Sequence, residues 1–295
     1  MNMTTRQGPT LMAVLAHPDD ESLGVGGTLA KYAALGVDVH LVTATRGNAG
    51  RYRGIRPGDP GHPGAEALGN LRAAELQAAA AALGVRGVSL LDYQDGRLDG
   101  ANPRHAVASI VRHLRQVRPD VVVTFGPDGA YGHPDHIAIS QFTTAAVMAA
   151  ADPAFTGDAT DTARPSHAVT KLYYLAWPAS TWAAYEAAIG ALTATVDGVS
   201  RRATPWPDWA ITTVIDTRAV WSCVAKAVSC HVSQVSAYER LRDVSPEHHE
   251  ALWGAQSFYR VFSLVNGGRA REDCLFEGIA GFVGHPAVTH VRCVE

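Results

Sequence analysis

The stretch Leu11-Met-Ala-Val-Leu-Ala-His-Pro-Asp-Asp-Glu21 decides the fold and carries the first group of chemically active side chains. Its apolar half, residues 11–16, has the length of a fully buried strand. It is too short to span a membrane or to be the apolar region of a signal peptide. The polar half begins at His17, directly after the strand. We therefore predict an inner strand of a parallel sheet, with a polar turn at its carboxyl end.

Strand-like and helix-like segments alternate along the rest of the first half of the chain. Runs rich in β-branched residues predict strands at 37–45, 87–91 and 120–125. Helical periodicity predicts helices at 22–36, 69–83, 103–117 and 134–151. Gly36 and Gly84 stand where left-handed backbone ends a helix, and Pro103 fits a first helical turn. Four β-α units in succession predict a doubly wound, mainly parallel, Rossmann-like α/β sheet flanked by helices.

The second half of the chain is less regular. It predicts strands at 171–177, 211–216 and 257–265, a helix at 218–232, and a polar segment at 152–165 that could be a linker. At about 150 residues per domain, the length permits two domains or one large α/β domain. Because the first half alone lacks walls for a specific substrate, we expect one domain over 1–295. Its catalytic core would be 1–151, and a C-terminal extension at 166–295 would shape the substrate pocket.

The composition limits the possible partners. Hydrophobic residues make up 47% of the chain and charged residues 18%, as in a folded soluble protein. The net charge of −3, without a long run of like charges, argues against nucleic acid and anionic membranes. The four cysteines, one of them Cys293, form no C-x-x-C pair, which favours a reduced, cytoplasmic protein. We therefore expect a small-molecule partner, no nucleic acid and no membrane span.

Several of the 13 histidines fall in two groups. The first, His17-Pro-Asp-Asp-Glu21, follows the first predicted strand, and the second, Tyr131-Gly-His-Pro-Asp-His136, lies shortly after the fourth. In a doubly wound sheet, the loops after these two strands tend to meet where the strand order reverses. The spacing thus predicts that both groups belong to one site.

These residue types suit a catalytic metal ion. A catalytic zinc site has two or three imidazole and carboxylate ligands and one open position. A set of His17, Asp20 and His136 would provide such ligands. It would leave Asp19 to take a proton from an activated water, and a cationic His133 to stabilise an oxyanion.

Other interpretations of the first group stay open. Asp19 or Asp20 could simply cap the following helix. Glu21 could orient a ligating histidine, or its negative charge could stabilise the N-terminus of the helix by interacting with the helix dipole. Gly24, Gly26 and Gly27 suggest a non-catalytic nucleotide- or sugar-binding protein, but the third glycine of the dinucleotide fingerprint is replaced by Leu29.

The same stretch, together with Gly26-Gly27, Thr43 to Gly47, Arg72-Ala-Ala-Glu75 and Gly132-His-Pro-Asp-His136, resembles the LmbE/PIG-L family of zinc-dependent N-deacetylases. That family includes sugar deacetylases of the mycothiol and bacillithiol pathways. The resemblance spans about the first 150 residues. The combination of the motifs at 17–21 and 133–136 is highly specific for this family. It implies a hydrolase with one zinc per chain that removes an N-acetyl or similar acyl group from a glucosamine-containing conjugate. A thiol-conjugate amidase is the alternative within the family.

The resemblance also assigns the reacting residues. It implies that His17, Asp20 and His136 bind the metal. It makes Asp19 the general base and gives His133 the task of assisting the tetrahedral intermediate or the leaving amine. Tyr131 would contact the oxyanion, or pack only as an aromatic ring.

Two further residues concern the substrate. By the resemblance, Arg72 would bind sugar hydroxyls, although it could instead pair with Glu75 on its own helix. From its place after the third strand, Asp95 could accept hydrogen bonds from sugar hydroxyls, or form an Asp-Gly turn.

The loop 45–68 carries Arg51, Arg53 and Arg56 where many sugar deacetylases would have an acidic pair. These arginines could face an anionic substrate or lie in solvent. We interpret His231, near the end of a predicted helix, as a structural histidine.

Overall fold

The computed structural model describes residues 8–157, 164–191, 193–196, 198–234, 241 and 245–282. Its strands are β1 Thr10–Leu15, β2 Asp38–Thr45, β3 Gly87–Tyr93, β4 Val121–Thr124, β5 Lys171–Leu175, β6 Thr193–Val196, β7 Val199–Arg202, β8 Thr213–Asp216 and β9 Ala255–Ser263. Its longer helices are α1 Asp20–Ala34, α2 Ala65–Ala82, α3 Pro103–Val117, α4 Pro134–Ala151, α5 Ala179–Ile189, α6 Trp221–Cys230 and α7 Pro246–Trp253.

A seven-stranded sheet in the order β3-β2-β1-β4-β5-β9-β8 forms the centre of the molecule. Strands β1 to β5 are parallel, and β9 and β8 extend one edge in antiparallel pairing. The predicted α/β class and the mainly parallel sheet are confirmed. Strand β1 is buried along its whole length between β2 and β4. The carboxyl ends of β1 and β4 therefore adjoin where the strand order reverses.

The helices of the first half follow the sequence signals closely. Helices α3 and α4 have the predicted bounds, and each begins at a proline. Helix α2 begins at Ala65, four residues before the predicted start. Gly64 precedes it without a capping side chain, so no capping signal marks this start in the sequence. Leu71, one of the apolar residues of α2, is 39% exposed. The helix instead buries the polar residues Arg72 and Glu75, so its inner face is rotated from the apolar stripe.

The second half contains elements that the sequence analysis did not predict, namely α5, α7 and the β6–β7 hairpin. Helix α5 contains five alanines and so lacks a clear apolar stripe, and β7 is exposed at every residue, which removes the alternation that marks a strand. The helix predicted at 218–232 is a 3-10 turn at Arg218–Val220 followed by α6, which ends at Cys230.

One hydrophobic core joins the two halves. It includes Leu29 and Val42 from the first half with Val224 and Phe258 from the second. Helix α6 packs against both α1 and α2. We therefore propose that the chain folds as one domain with an extension. The expected linker at 152–165 and the last part of the extension lie partly outside the described residues.

A buried ion pair also ties the chain after β9 to strand β5 of the sheet. Lys171 Nζ in β5 donates to Glu272 Oε1 at 2.7 Å, and the Glu272 carboxylate also accepts from Tyr173, Thr213 and Arg260. Burial alone would raise the pKa of Glu272, but these donors, Lys171 above all, lower it to about 2. Glu272 is therefore ionised at neutral pH.

No helix among the described residues is both long and apolar enough to cross a membrane. The expectation of reduced cysteines is wrong for Cys223, which is disulfide-bonded, whereas Cys230 and Cys274 are free thiols. Cys293 lies outside the described residues.

Candidate metal centre and active site

The two histidine groups meet at the carboxyl edge of the sheet, as their spacing predicts. His17 lies in the turn after β1, and His136 lies in the first turn of α4. His17 Nδ1 is 3.2 Å from His136 Nε2. Asp20 completes the triangle, since one carboxylate oxygen is 3.6 Å from His17 Nδ1 and the other is 3.4 Å from His136 Nε2.

These spacings fit one metal ion. A tetrahedral ion with bonds of about 2.0–2.1 Å holds its ligand atoms about 3.4 Å apart. The His17, Asp20 and His136 atoms are separated by 3.2 to 3.6 Å and therefore surround a space of that size. A ring nitrogen of His133 also lies within 4.8 Å of the other two histidines, which leaves room for a reacting group beside the ion.

Asp20 is held in place by the backbone. Its Oδ2 accepts the N–H of His17 at 2.8 Å and the N–H of Ala16 at 3.2 Å. Burial raises the pKa of Asp20, but the adjacent His136 and His17 outweigh this effect and keep it well below its usual value. The carboxylate is thus ionised, as a metal ligand must be.

Two carboxylates orient the His17 ring from its other side. Asp135 Oδ2 and Asp95 Oδ1 each lie 3.2 Å from His17 Nε2. Asp135 is itself fixed by the N–H groups of Gly96 at 2.7 Å and Leu98 at 3.0 Å. A carboxylate on the free nitrogen of a ligating histidine fixes its tautomer and raises its basicity. Asp135 was not predicted from the sequence, although it stands between His133 and His136 in the second motif.

Asp19 lies beside the three candidate ligands His17, Asp20 and His136, which we call the ligand triangle. Its backbone conformation is unusual. Its φ of +110° is in the left-handed region, and its side chain does not cap α1. The helix-cap interpretation is therefore wrong for Asp19. Asp19 Oδ2 instead lies 3.0 Å from Arg72 Nη2. Burial raises the pKa of Asp19, and the Arg72 charge opposes that shift.

Arg72 is buried and turned toward Asp19. Its guanidinium donates to Gly47 O at 2.7 Å and to Pro18 O at 2.5 Å, in addition to Asp19. The alternative partner, Glu75, accepts two hydrogen bonds from Ser233. Arg72 and Asp95 both line the cavity in front of the ligand triangle. Asp95 also accepts the N–H of Ala49 at 2.7 Å.

His133 and Tyr131 cover the second side of the ligand triangle. The His133 ring stacks on His136 with centroids 4.7 Å apart, and its Nδ1 accepts the N–H of Asp135 at 3.2 Å. Burial lowers the pKa of His133 to about 4, so the ring is neutral at pH 7 rather than cationic as expected. The Tyr131 ring meets His136 edge-on at 5.5 Å. Burial raises the pKa of Tyr131, which therefore keeps its hydroxyl proton.

The site opens into a cavity of about 360 Å³. An apolar wall forms one side of it and consists of Leu23, Phe125, Trp177, Tyr185 and Ile189. The Trp177 ring stacks on Tyr185 with centroids 4.9 Å apart and planes at 6°. Because Trp177 and α5 belong to the second half of the chain, the extension contributes to the pocket.

The loop 45–68 reaches the cavity through its backbone. Ala49 and Gly50 line the cavity, whereas Arg51, Arg53 and Arg56 are exposed. The solvent-facing interpretation of these arginines fits the structure better than contact with an anionic substrate. Trp206 packs against Tyr259, with ring centroids 5.4 Å apart.

A doubly wound sheet with a His/Asp cluster at its carboxyl edge is typical of the active site of an α/β enzyme. A family model described as "PIG-L: GlcNAc-PI de-N-acetylase" matches residues 12–147. The chain belongs to the PIG-L family, and it is an enzyme that acts on carbon–nitrogen amide bonds.

Two relatives support this placement. A protein of Rhodococcus jostii (strain RHA1) is 39% identical, with 77% of this chain and 82% of the relative covered. One from Streptomyces scabiei (strain 87.22) is 34% identical, with 94% and 92% covered. Both are named 1D-myo-inositol 2-acetamido-2-deoxy-alpha-D-glucopyranoside deacetylase.

Solved structures share the fold. N,N'-diacetylchitobiose deacetylase from Pyrococcus horikoshii superposes with a TM-score of 0.63 at 21% identity, covering 86% of this chain and 84% of that one. GalB, the 4-carboxy-2-hydroxymuconate hydratase from Pseudomonas putida KT2440, superposes with a TM-score of 0.64 at 18% identity, covering 89% and 100%. Since a hydratase shares this fold, the fold alone does not define the reaction.

Proposed function

We propose that the chain is a zinc-dependent N-deacetylase that removes an acetyl or similar acyl group from a glucosamine-containing substrate. The observation that carries the proposal is the triangle of His17, Asp20 and His136 with the Asp19 carboxylate beside it. The relatives named as deacetylases of an inositol-linked 2-acetamido sugar support the substrate class. We further propose a small-molecule partner, no nucleic acid and a cytoplasmic location.

The ligand set proposed for the zinc is His17, Asp20 and His136, one ion per chain. Two imidazoles and one carboxylate are ligands that zinc prefers, and they leave a position open. When bound, zinc would lower the pKa of a water molecule and polarise the amide carbonyl. Asp135 and Asp95 would keep the His17 ring turned so that Nδ1 faces the ion.

Asp19 is proposed as the general base. It would accept a proton from the attacking water and pass it to the leaving amine nitrogen. Burial raises the pKa of Asp19 and so makes the carboxylate a stronger base. Arg72 Nη2 donates to Asp19 Oδ2 at 3.0 Å and so fixes the direction of the carboxylate.

His133 and Tyr131 are proposed to stabilise the tetrahedral intermediate. Because His133 Nδ1 accepts a backbone N–H, its neutral ring carries the proton on Nε2. That Nε2–H and the Tyr131 hydroxyl can both donate hydrogen bonds to a developing oxyanion. The structure thus favours a neutral donor at His133 over the cationic imidazole expected from the sequence.

The cavity is proposed to bind an amino-sugar conjugate, with Arg72 and Asp95 as substrate-binding residues because both line it. Its volume of about 360 Å³ is in the range of small-molecule sites, roughly 300–1,000 Å³. A thiol-conjugate amidase would use the same catalytic residues and differ only in what fills the cavity.

An acetate-release screen tests the proposal. The purified protein is offered N-acetylglucosamine linked to inositol, to a lipid, to a glycopeptide and to a second sugar, and in parallel thiol conjugates with an amide bond. We expect acetate release from at least one acetylated sugar. Cleavage of thiol conjugates alone would establish the amidase, and tight binding without any cleavage would indicate a binding protein.

A further inference from the structure

A buried carboxylate lies directly behind the proposed general base. Glu21 is fully buried, and its Oε2 accepts the backbone N–H of Asp19 at 2.9 Å. Its Oε1 accepts from the Ser22 hydroxyl at 2.6 Å and lies 2.8 Å from Nε2 of His231. A buried carboxylate needs such partners, since an unpaired one is strongly destabilising.

The Asp19 turn needs this support. A φ of +110° is a conformation that residues with a side chain rarely adopt and that persists only when the surroundings enforce it. The hydrogen bond from the Asp19 N–H to Glu21 fixes the backbone of the turn, and the Arg72 guanidinium fixes the side chain. The direction of the Asp19 carboxylate therefore depends on Glu21 and Arg72 together.

Both of these residues are connected to one short segment of the extension, His231-Val-Ser-Gln234, which we call the clamp segment. His231 contacts Glu21. Ser233 donates its N–H and its hydroxyl to the two oxygens of Glu75 at 2.6 and 2.7 Å. Glu75 lies three residues after Arg72 on α2, so the clamp segment also holds the helical turn that carries Arg72.

We propose that the clamp segment positions the general base, with His231 and Ser233 as positioning residues that act through Glu21 and through Arg72. This inference rests on the proposed function and deepens it. Neither His231 nor Ser233 is among the residues that line the cavity, so neither would touch the substrate. The earlier interpretation of His231 as merely structural would explain its burial but assigns no task to its bond with Glu21.

The test compares variants that keep or remove the hydrogen bond of His231. His231→Phe keeps a ring and removes the donor, whereas His231→Gln keeps an N–H donor. For His231→Phe we expect kcat for acetate release to fall about 10- to 100-fold, the scale of a misplaced catalytic group. KM and the zinc content per chain should change less than about twofold, because the ligand triangle and the cavity are untouched. His231→Gln should recover most of kcat.

His249→Phe is the matched control. His249 is also buried, bonds through Nε2 to Leu241 O at 2.8 Å and stacks on Trp253, away from the cavity. It should lose thermal stability as His231→Phe does, with unchanged kcat per folded chain. Equal kcat losses in both phenylalanine variants, or no recovery in His231→Gln, would reduce the clamp segment to a structural role and overturn the proposal.

Crystal structures of the wild-type protein and His231→Phe provide a readout independent of activity. We expect the Asp19 turn to leave its left-handed conformation or its carboxylate to move away from Arg72 in the variant. An unmoved Asp19 would overturn the clamp proposal even if the enzyme is an active deacetylase. A wild-type protein without deacetylase activity would contradict the proposed function alone, because the displacement of Asp19 could still be observed.

Discussion

Two adjacent carboxylates, Asp19 and Asp20, are given different roles by their neighbours. Burial raises the pKa of each. His17 and His136 outweigh this effect at Asp20 and keep it ionised, whereas Arg72 only partly offsets it at Asp19. Paired acidic groups whose environments separate their pKa values are typical of a division between a ligand and a base.

The first prediction concerns Asp19. Asp19→Asn should keep about one zinc per chain and lower kcat by roughly 10² or more, the scale of a lost general base. Kinetics of acetate release with metal analysis on the same sample measure both quantities. Asp216→Asn, at an exposed pair with Arg218, is the control and should match the wild type. Near wild-type turnover in Asp19→Asn would exclude Asp19 as the base.

The second prediction concerns Asp135. Asp135→Asn removes the charge that faces His17 Nε2 and should weaken zinc binding about 10- to 100-fold. Competition with a chelator of known affinity measures this change. Asp92→Asn, at an exposed pair with Arg46, should bind zinc like the wild type. Unchanged zinc affinity in Asp135→Asn would show that Asp135 does not act through His17.

At the residue scale, the proximity of His17, Asp20 and His136 was predictable because these residues lie in two short motifs at strand ends. The ion pair between Arg72 and Asp19 was not predicted, because these residues are 53 positions apart in the sequence. The pairing of Glu21 with His231 spans 210 positions and leaves no local pattern either. Contacts of this kind depend on how helices pack over the sheet, which a single sequence does not encode locally.

At the scale of elements, boundaries were predictable where a capping signal exists. Asn102 accepts the N–H groups of Arg104 and His105 ahead of Pro103, and α3 begins as expected. Helix α5 was missed, although its Tyr185 and Ile189 line the apolar wall. That wall is therefore the part of the pocket that the sequence analysis could not anticipate.

The third prediction concerns the apolar wall. Trp177→Ala removes the ring that stacks on Tyr185 and should raise KM about 10-fold or more for amino sugars that carry an apolar group, with a smaller change in kcat. Steady-state kinetics on a pair of aryl and methyl glycosides measures the effect. Trp209→Ala is the control, since Trp209 is 85% exposed. An equal rise in KM for both glycosides would indicate a general disturbance of the pocket.

At the scale of the whole molecule, the two halves of the chain are joined by one core and by the pairing of β4 with β5. The Lys171–Glu272 pair holds the chain after β9 against β5 within the second half. The sequence predicted the central parallel strands, whose apolar runs are continuous. The antiparallel edge formed by β9 and β8 was not predicted, because the residue composition of a strand does not indicate its direction.

The fourth prediction concerns stability. Glu272→Gln leaves Lys171 buried without its charged partner and should lower the free energy of unfolding by about 3 kcal/mol. Because the pKa of Glu272 falls from 4.5 to about 2 on folding, its contribution is complete above about pH 4.5 and is lost as the pH falls toward 2. Urea unfolding between pH 3 and pH 7 should therefore show a flatter acid slope in the variant.

Glu186→Gln is the control for that prediction. Glu186 pairs with Arg202 at 3.3 Å on the surface, so its loss should change stability by less than about 0.5 kcal/mol. If both variants lose the same stability, or if Glu272→Gln keeps the wild-type acid slope, the buried pair does not stabilise the fold as described.

The central claim is that catalysis depends on one metal ion held by His17, Asp20 and His136. The most direct measurement is acetate release by one protein sample as purified, after removal of metal with a chelator, and after addition of zinc in equal molar amount. We predict about one zinc per chain at the start, loss of activity with the metal, and recovery with stoichiometric zinc; His136→Ala should neither bind zinc nor recover. Full activity in metal-free protein would contradict the account.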